Sequence, residues 1–183
     1  GYSPDEVPSG LEKDTVLIRG GHDVRGEEQE PLDADALRMI VEKTRNAIEA
    51  YAVCGYFSVR NPDHELRAAD MVRRMTGRPV VCGHELSQRL DAVKRAATTI
   101  LNAHLIPVIH HLLDSVQRIF IRNRIAAPLM IVRCDGSLMA APAIMNRPIE
   151  TILSGPAASA IGARFLLGRE EAAADAVIVD IGG

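Results

Sequence analysis

The chain has 183 residues, 47% of them hydrophobic and 25% charged, which suits a globular protein long enough to bury a core. Twenty-one basic and twenty-four acidic residues leave a net charge of -3, and aromatics make up 3% with no Trp, so nucleic acid is not expected as a partner. Three scattered cysteines make no disulfide framework, the N-terminus lacks a signal-peptide layout, and no apolar run approaches the roughly 20 residues that span a bilayer, so a cytoplasmic protein without a membrane partner is expected.

Residues 1–14 are polar, carry two prolines and predict an irregular arm. The run "TVLIRGGHDVRG" is β-like and broken at Gly20–Gly21, as in a hairpin or a strand edge. A helix follows, with Leu37, Ile40, Val41, Thr44 and Ile48 on one face and Asp33 or Asp35 as its cap. A strand over 51–59 leads to a second helix, opened by Asn61 as cap and Pro62 as first helical residue and stopped by Gly77. A strand over 79–84 precedes the longest helical pattern, 90–123, in which Pro107 removes a backbone donor and predicts a kink or break. Strands over 128–134 and 176–181 flank a small-residue helix entered at Ser154–Gly155–Pro156. Alternating strands and helices predict an α/β fold with a mainly parallel sheet and flanking helices, whose ligands gather at the C-terminal strand ends.

Those ends carry the candidate chemistry. In "DAVIVDIGG", Gly182 and Gly183 would let backbone amides approach phosphate oxygens, and Asp180 could hold Mg²⁺ directly or through water. Taken alone, the tetrapeptide is better accounted for by a plain strand-to-turn junction. Ser154 or Gly155 would cap a helix whose N-terminus suits an anion, while the alanines of the same helix suit close packing. Asp135 and Gly136 end the third strand. Cys54, Cys82, Cys134 and His84 have the ligand types for zinc, but buried, reduced, metal-free thiols are the expectation because no Cys-x-x-Cys pair occurs. Glu85 and Arg89 are candidates for a substrate cleft or for a capped, salt-bridged helix start. His104, His110 and His111 read as a surface cluster.

"RNPDHE", "TTILNA" and "LSGPAAS" followed by "DAVIVDIGG", in this order, resemble the hydantoinase A / 5-oxoprolinase family over roughly residues 30–183. More distantly, the last two stretches resemble the actin-like ATPase (ribonuclease H-like) superfold. The resemblance implies an enzyme that opens a cyclic amide, a hydantoin or 5-oxoproline ring, using ATP and Mg²⁺ together with a second subunit or domain. It implies nucleotide contacts from Asp180, Gly182, Gly183, Asp135, Gly136, Ser154 and Gly155. Departures from the family pattern lead to the expectation of an internal fragment, inactive alone: residues 1–30 as arm and short β segment, 31–150 as a first-lobe portion, 151–183 as linking helix and first strand of a second lobe. An ATP-dependent carboxylase subunit on the same scaffold and a non-catalytic nucleotide-sensing or assembly module are the alternatives.

Overall fold

The computed structural model describes residues 15–171 and 177–181. It divides into two compact units, one up to His110 and one from His111, with the boundary inside a single long helix. The predicted arm over 1–14 lies outside the described residues.

In the first unit, β1 (Gly21–His22) and β2 (Glu28–Glu30) pair antiparallel, so the broken β-like run is a hairpin. Its turn is held by Asp23, whose Oδ1 accepts from the amides of Arg25 and Glu27 at 2.8 and 3.0 Å. Helix α1 (Ala34–Thr44) is capped by Asp33, which accepts from Ala36 N–H at 3.0 Å. It ends before Ile48, earlier than the apolar spacing suggests. Helix α2 (Asp63–Thr76) starts one residue later than predicted: Pro62 is the cap residue, and the Asn61 carboxamide accepts from Asp63 N–H at 3.0 Å. Gly77 ends it at φ +66°, a left-handed conformation that glycine adopts without strain.

Strands β3 (Tyr51–Val53) and β4 (Val80–Cys82) pair in parallel, Tyr51 opposite Val80 and Val53 opposite Cys82. Leu37 and Val41 from α1 and Ala68, Ala69 and Val72 from α2 bury against Val80 and Cys82. Val41 and Val72 are 1% exposed, and each such burial contributes about 1.5–3 kcal/mol. Val81 points the other way, packing with Ala103 and Ile106. This is an α/β layering, with helices on both faces of a parallel pair.

A short α3 (Gly83–Leu86) continues directly from β4, and α4 runs from Ala92 to Arg122. Helix α4 passes Pro107 without a break, although the ring removes the donor for the Ala103 carbonyl. By length and composition α4 is apolar enough to cross a membrane, against the sequence expectation, because its interior mixes long aliphatic runs with few charges. Arg95, Thr99 and Asn102, each no more than 1% exposed, form a buried polar row near its start, as in a core helix.

In the second unit, β5 (Met130–Val132) and β6 (Leu138–Ala140) form an antiparallel hairpin. It is followed by α5 (Ala141–Ile144), a 3₁₀ turn over Pro148–Thr151 and α6 (Ser154–Glu171). Cys134 N–H donates to Glu150 C=O at 2.7 Å and Arg133 Nε to Glu150 Oε2 at 2.8 Å, tying hairpin to turn.

The single mainly parallel sheet is therefore corrected. Among the described residues there are three two-stranded sheets, and one is parallel. The third predicted strand pairs instead with its own continuation, because Asp135–Gly136 makes a tight reversal. Residues 177–181 form no strand, and Val177, Val179 and Ile181 are 75–92% exposed, without a neighbouring ladder to bury them. Ala176 lies outside the described residues.

Candidate functional site

At the C-terminal ends of β3 and β4 the first unit holds a buried polar cluster. Glu65, on α2, occupies the stripe that otherwise carries Ala68, Ala69 and Val72, so helical periodicity drives its carboxylate inward to 1% exposure. Each oxygen is satisfied: Oε1 accepts from Gly55 N–H at 2.7 Å, and Oε2 from His84 N–H at 3.0 Å. Oε2 also lies 2.5 Å from His84 Nδ1, which makes Nδ1 the protonated nitrogen and turns Nε2 away from the carboxylate. Arg95, from α4, is equally buried and donates to carbonyls: Nη1 to Arg89 at 2.5 Å, Nη2 to Gly55 at 2.6 Å and to Tyr56 at 2.7 Å.

The Gly55 peptide is thus held at both ends, its N–H by an acid and its C=O by a base. Two buried opposite charges communicate through one peptide, which fixes the loop after β3. Gly83 is where this cluster is tightest: a Cβ there would stand 2.9 Å from Cys54 Sγ, 3.1 Å from Glu65 Oε1 and 3.3 Å from Arg95 Cγ. Only glycine leaves room for the three side chains to converge.

The thiols fall into different settings. Burial, reinforced by the Glu65 charge, pushes the Cys54 thiol up to about 11; burial with Glu85 and Glu65 nearby pushes Cys82 to about 12. Both are protonated and unreactive at neutral pH. Cys134 is exposed, a correction to the expectation that all three are buried, since it lies beyond β5 in the turn that leads to β6. Of the four candidate zinc ligands, Cys54, Cys82 and His84 belong to the first unit and Cys134 to the second. The described residues with metal-ligand spacing are Glu65, Cys82 and His84, within 4.8 Å of one another. Their donor types suit zinc, but the Glu65–His84 hydrogen bond fills the space between them.

Glu85 is exposed and caps α3, its Oε2 3.5 Å from Cys82 N. Arg89 is exposed beyond α3. His104 and His111 are exposed, whereas His110 is half-buried with Nε2 lacking a partner.

In the second unit, Asp135 and Gly136 form the β5–β6 turn. Asp135 Oδ1 accepts from Ser137 N–H at 2.9 Å and Ser137 Oγ–H at 2.6 Å, and the Ser137 hydroxyl and amide hold this carboxyl below the usual range. Gly136, at φ +76°, lies under Ile161 of α6: a Cβ there would be 1.9 Å from Ile161 Cδ1. Ser154 and Gly155 open α6, and a Cβ on Gly155 would meet nothing within 4 Å. The preceding Leu153 has φ +62°, a left-handed conformation costing leucine about 1–2 kcal/mol. Asp180 is exposed and accepts a 3.0 Å hydrogen bond from Ser159 Oγ–H, bringing α6 and the 177–181 segment together. Gly182 and Gly183 lie outside the described residues.

Sequence reasoning passed over Glu65 and Arg95 as site residues. The signal was present in each case: an acid in phase with the apolar face of α2, and a base in phase with Thr99, Asn102 and Ala103 of α4.

Comparison with known proteins adds to this geometry. The hydantoinase/oxoprolinase family model matches residues 95–183, and the model of the hydantoinase/oxoprolinase N-terminal region matches residues 5–76. The caprolactamase subunit alpha of Pseudomonas jessenii is 32% identical over 160 residues, 86% of this chain and 23% of that protein. The crystal structure of the ATP-dependent caprolactamase from the same organism superposes with a TM-score of 0.76 at 30% identity, over 82% of this chain and 22% of the other. The 5-oxoprolinase of Dictyostelium discoideum is 26% identical over 160 residues, 87% of this chain and 12% of its own. The nucleotide-free structure of acetone carboxylase shares the fold, with a TM-score of 0.65 at 22% identity over 82% of this chain and 22% of that chain. The chain spans about a quarter or less of the length of these proteins.

Proposed function

Because the chain belongs to the hydantoinase/oxoprolinase family, we propose that it acts as part of an ATP-dependent enzyme that opens a cyclic amide. The observation that carries this reading is the agreement of sequence and fold along the same stretch with one ATP-dependent caprolactamase. A lactam carbonyl is a poor electrophile, and ATP would supply the driving force by phosphorylating the amide oxygen, which opens the ring carbonyl carbon to attack by water.

The residues offer donors of the right kind for a magnesium–phosphate group. Asp180 is an exposed hard oxygen ligand, one oxygen of which is already oriented by Ser159. The first turn of α6 presents backbone amides at Ser154 and Gly155 beside open space, which suits an anion. Gly182 and Gly183 would extend this set with further amides. Asp135 and Gly136 would contribute differently: the carboxylate is engaged by Ser137 and the glycine lies beneath Ile161, so they would shape the wall of the site through the hairpin. A second subunit or domain would complete the enzyme, as the relative named as a subunit alpha suggests.

The fold shared with acetone carboxylase supports a second reading, ATP-dependent carboxylation of a ketone on the same scaffold. Phosphate release from ATP with caprolactam, 5-oxoproline, hydantoin and acetone plus bicarbonate, measured on the intact enzyme with its partner subunit, separates the two. Ring-opened product formed only with ATP is expected, and Asp180→Asn should nearly abolish it while circular dichroism is unchanged. Turnover that ignores ATP, or an Asp180→Asn enzyme of full activity, would overturn the reading.

A further inference from the structure

His84 carries the buried cluster of the first unit to the surface. Its side chain is 18% exposed, against 1% for that of Glu65, whose Oε2 holds the imidazole Nδ1 at 2.5 Å. The second ring nitrogen, Nε2, has no hydrogen-bond partner among the described residues. The buried unpartnered side-chain atoms among those residues are Arg95 Nε and His110 Nε2, so His84 Nε2 is an accessible one. With the proton on Nδ1, it meets solvent as a lone pair.

The ring does more than satisfy a buried acid. Glu65 Oε1 and Oε2 already accept from the backbone N–H groups of Gly55 and His84 at 2.7 and 3.0 Å, so the imidazole is a third donor. Arg95 offsets the Glu65 charge through the Gly55 peptide, so the acid does not require an imidazolium beside it. A neutral ring can take a proton at Nε2, and the carboxylate that would stabilise the new charge is already in place. The other close histidine–glutamate pair among the described residues has the reverse burial: the His64 side chain is 9% exposed and that of Glu28 48%. There the acid is hydrated and the ring enclosed. His84 is also the second residue beyond β4, at the C-terminal end of the parallel pair, where ligands of α/β folds gather.

We propose that His84 is a catalytic acid–base residue that exchanges a proton with the bound substrate through Nε2, and that Glu65 is the residue positioning it. This inference rests on the ring-opening reading. In an O-phosphorylated lactam the ring carbon is doubly bonded to a protonated nitrogen. The water oxygen bonds to that carbon, the π pair moves to nitrogen, and one water proton passes to Nε2. The remaining carbon–nitrogen bond then breaks with its electron pair on nitrogen, and Nε2 returns the proton there. The added oxygen closes a double bond to carbon as its last proton leaves to solvent, and the resulting acyl phosphate hydrolyses to the acid. The imidazole ends as it began.

The test measures ATP-dependent opening of caprolactam, 5-oxoproline and hydantoin by the intact enzyme with its partner subunit, as parent and as His84→Asn. The asparagine amide can donate to Glu65 in place of Nδ1 but offers nothing where Nε2 stood, so circular dichroism should be unchanged. The expected result is a fall in kcat of about 10²–10⁴-fold, the usual contribution of a positioned acid–base group, with KM moving less than about threefold. A second measurement needs no variant: the ¹⁵N signals of the His84 ring in the parent should show Nδ1 protonated and Nε2 bare. A parent that opens no ring with ATP would overturn the earlier reading and this inference with it. A parent that does, beside a folded His84→Asn enzyme within about twofold of its kcat, would overturn this inference alone. So would a neutral ring carrying its proton on Nε2.

Discussion

Glu65→Gln is the substitution that most directly probes the buried cluster. Glutamine keeps the shape of glutamate but has one acceptor oxygen where three donors converge: Gly55 N–H, His84 N–H and His84 Nδ1. If the amide oxygen faces Gly55, the amide NH₂ confronts the His84 N–H, which is left without an acceptor. Rotating the side chain moves the orphan to Gly55. The imidazole can change tautomer to accept from the NH₂, so one of the three contacts recovers. An orphaned buried amide costs about 1–3 kcal/mol, and the remaining bond loses about 1 kcal/mol when its acceptor is no longer ionised. Arg95 also loses the counter-charge linked to it through Gly55. The sum is a destabilisation of about 2–4 kcal/mol. Urea unfolding followed by circular dichroism at an m-value of about 2 kcal/mol/M should show the midpoint falling by about 1–2 M. Glu42→Gln, on the exposed face of α1, serves as control and should change stability by less than about 0.5 kcal/mol. If Glu65→Gln falls within that same margin, the carboxylate does not organise the strand ends and the reasoning fails.

Two further outcomes follow from titratable groups. Cys134 should react with a thiol reagent within minutes at pH 7.5 while Cys54 and Cys82 wait for unfolding, because burial keeps both thiols protonated up to about 11 and 12; three equally fast thiols in the native protein would contradict this. His22 is held below its ordinary 6.5 by burial and by the His64 ring 4.2 Å away, so the unfolded chain binds its proton more readily. Its contribution to stability is complete above pH 6.5 and is lost as pH falls below that value, and urea midpoints at pH 7.5 and 5.5 should converge in His22→Gln relative to the parent.

How much of this was legible in the sequence depends on the range of the interaction. Caps and stops are local, so Asp33 and Gly77 could be read from residue type and spacing. Strand pairing is not local. The apolar run over 128–134 reads as a buried parallel strand, yet Asp135–Gly136 returns the chain onto itself and satisfies its hydrogen bonds with the very next segment. The buried cluster failed to appear for a related reason. Glu65, His84 and Arg95 are scattered along the chain and meet only because β3 and β4 lie side by side and α2 and α4 cover opposite faces. Charged residues are exposed by default, and phase along a helix was the clue that Glu65 and Arg95 were exceptions.

The long reach of Arg95 also bears on the order in which the chain folds. Its bonds to the Gly55 and Tyr56 carbonyls bridge 40 and 39 positions. Closing a loop of that size costs about 3 kcal/mol of chain entropy before any bond compensates, whereas each turn of α1 or α2 forms from neighbours. The helices and the β3–β4 pairing should therefore precede the docking of α4, leaving the Arg95 contacts unmade at the rate-limiting barrier. Substitutions there would act mainly by hastening unfolding rather than by slowing folding. In that case the arginine functions as a latch, governing how long the native state persists more than how quickly it is reached.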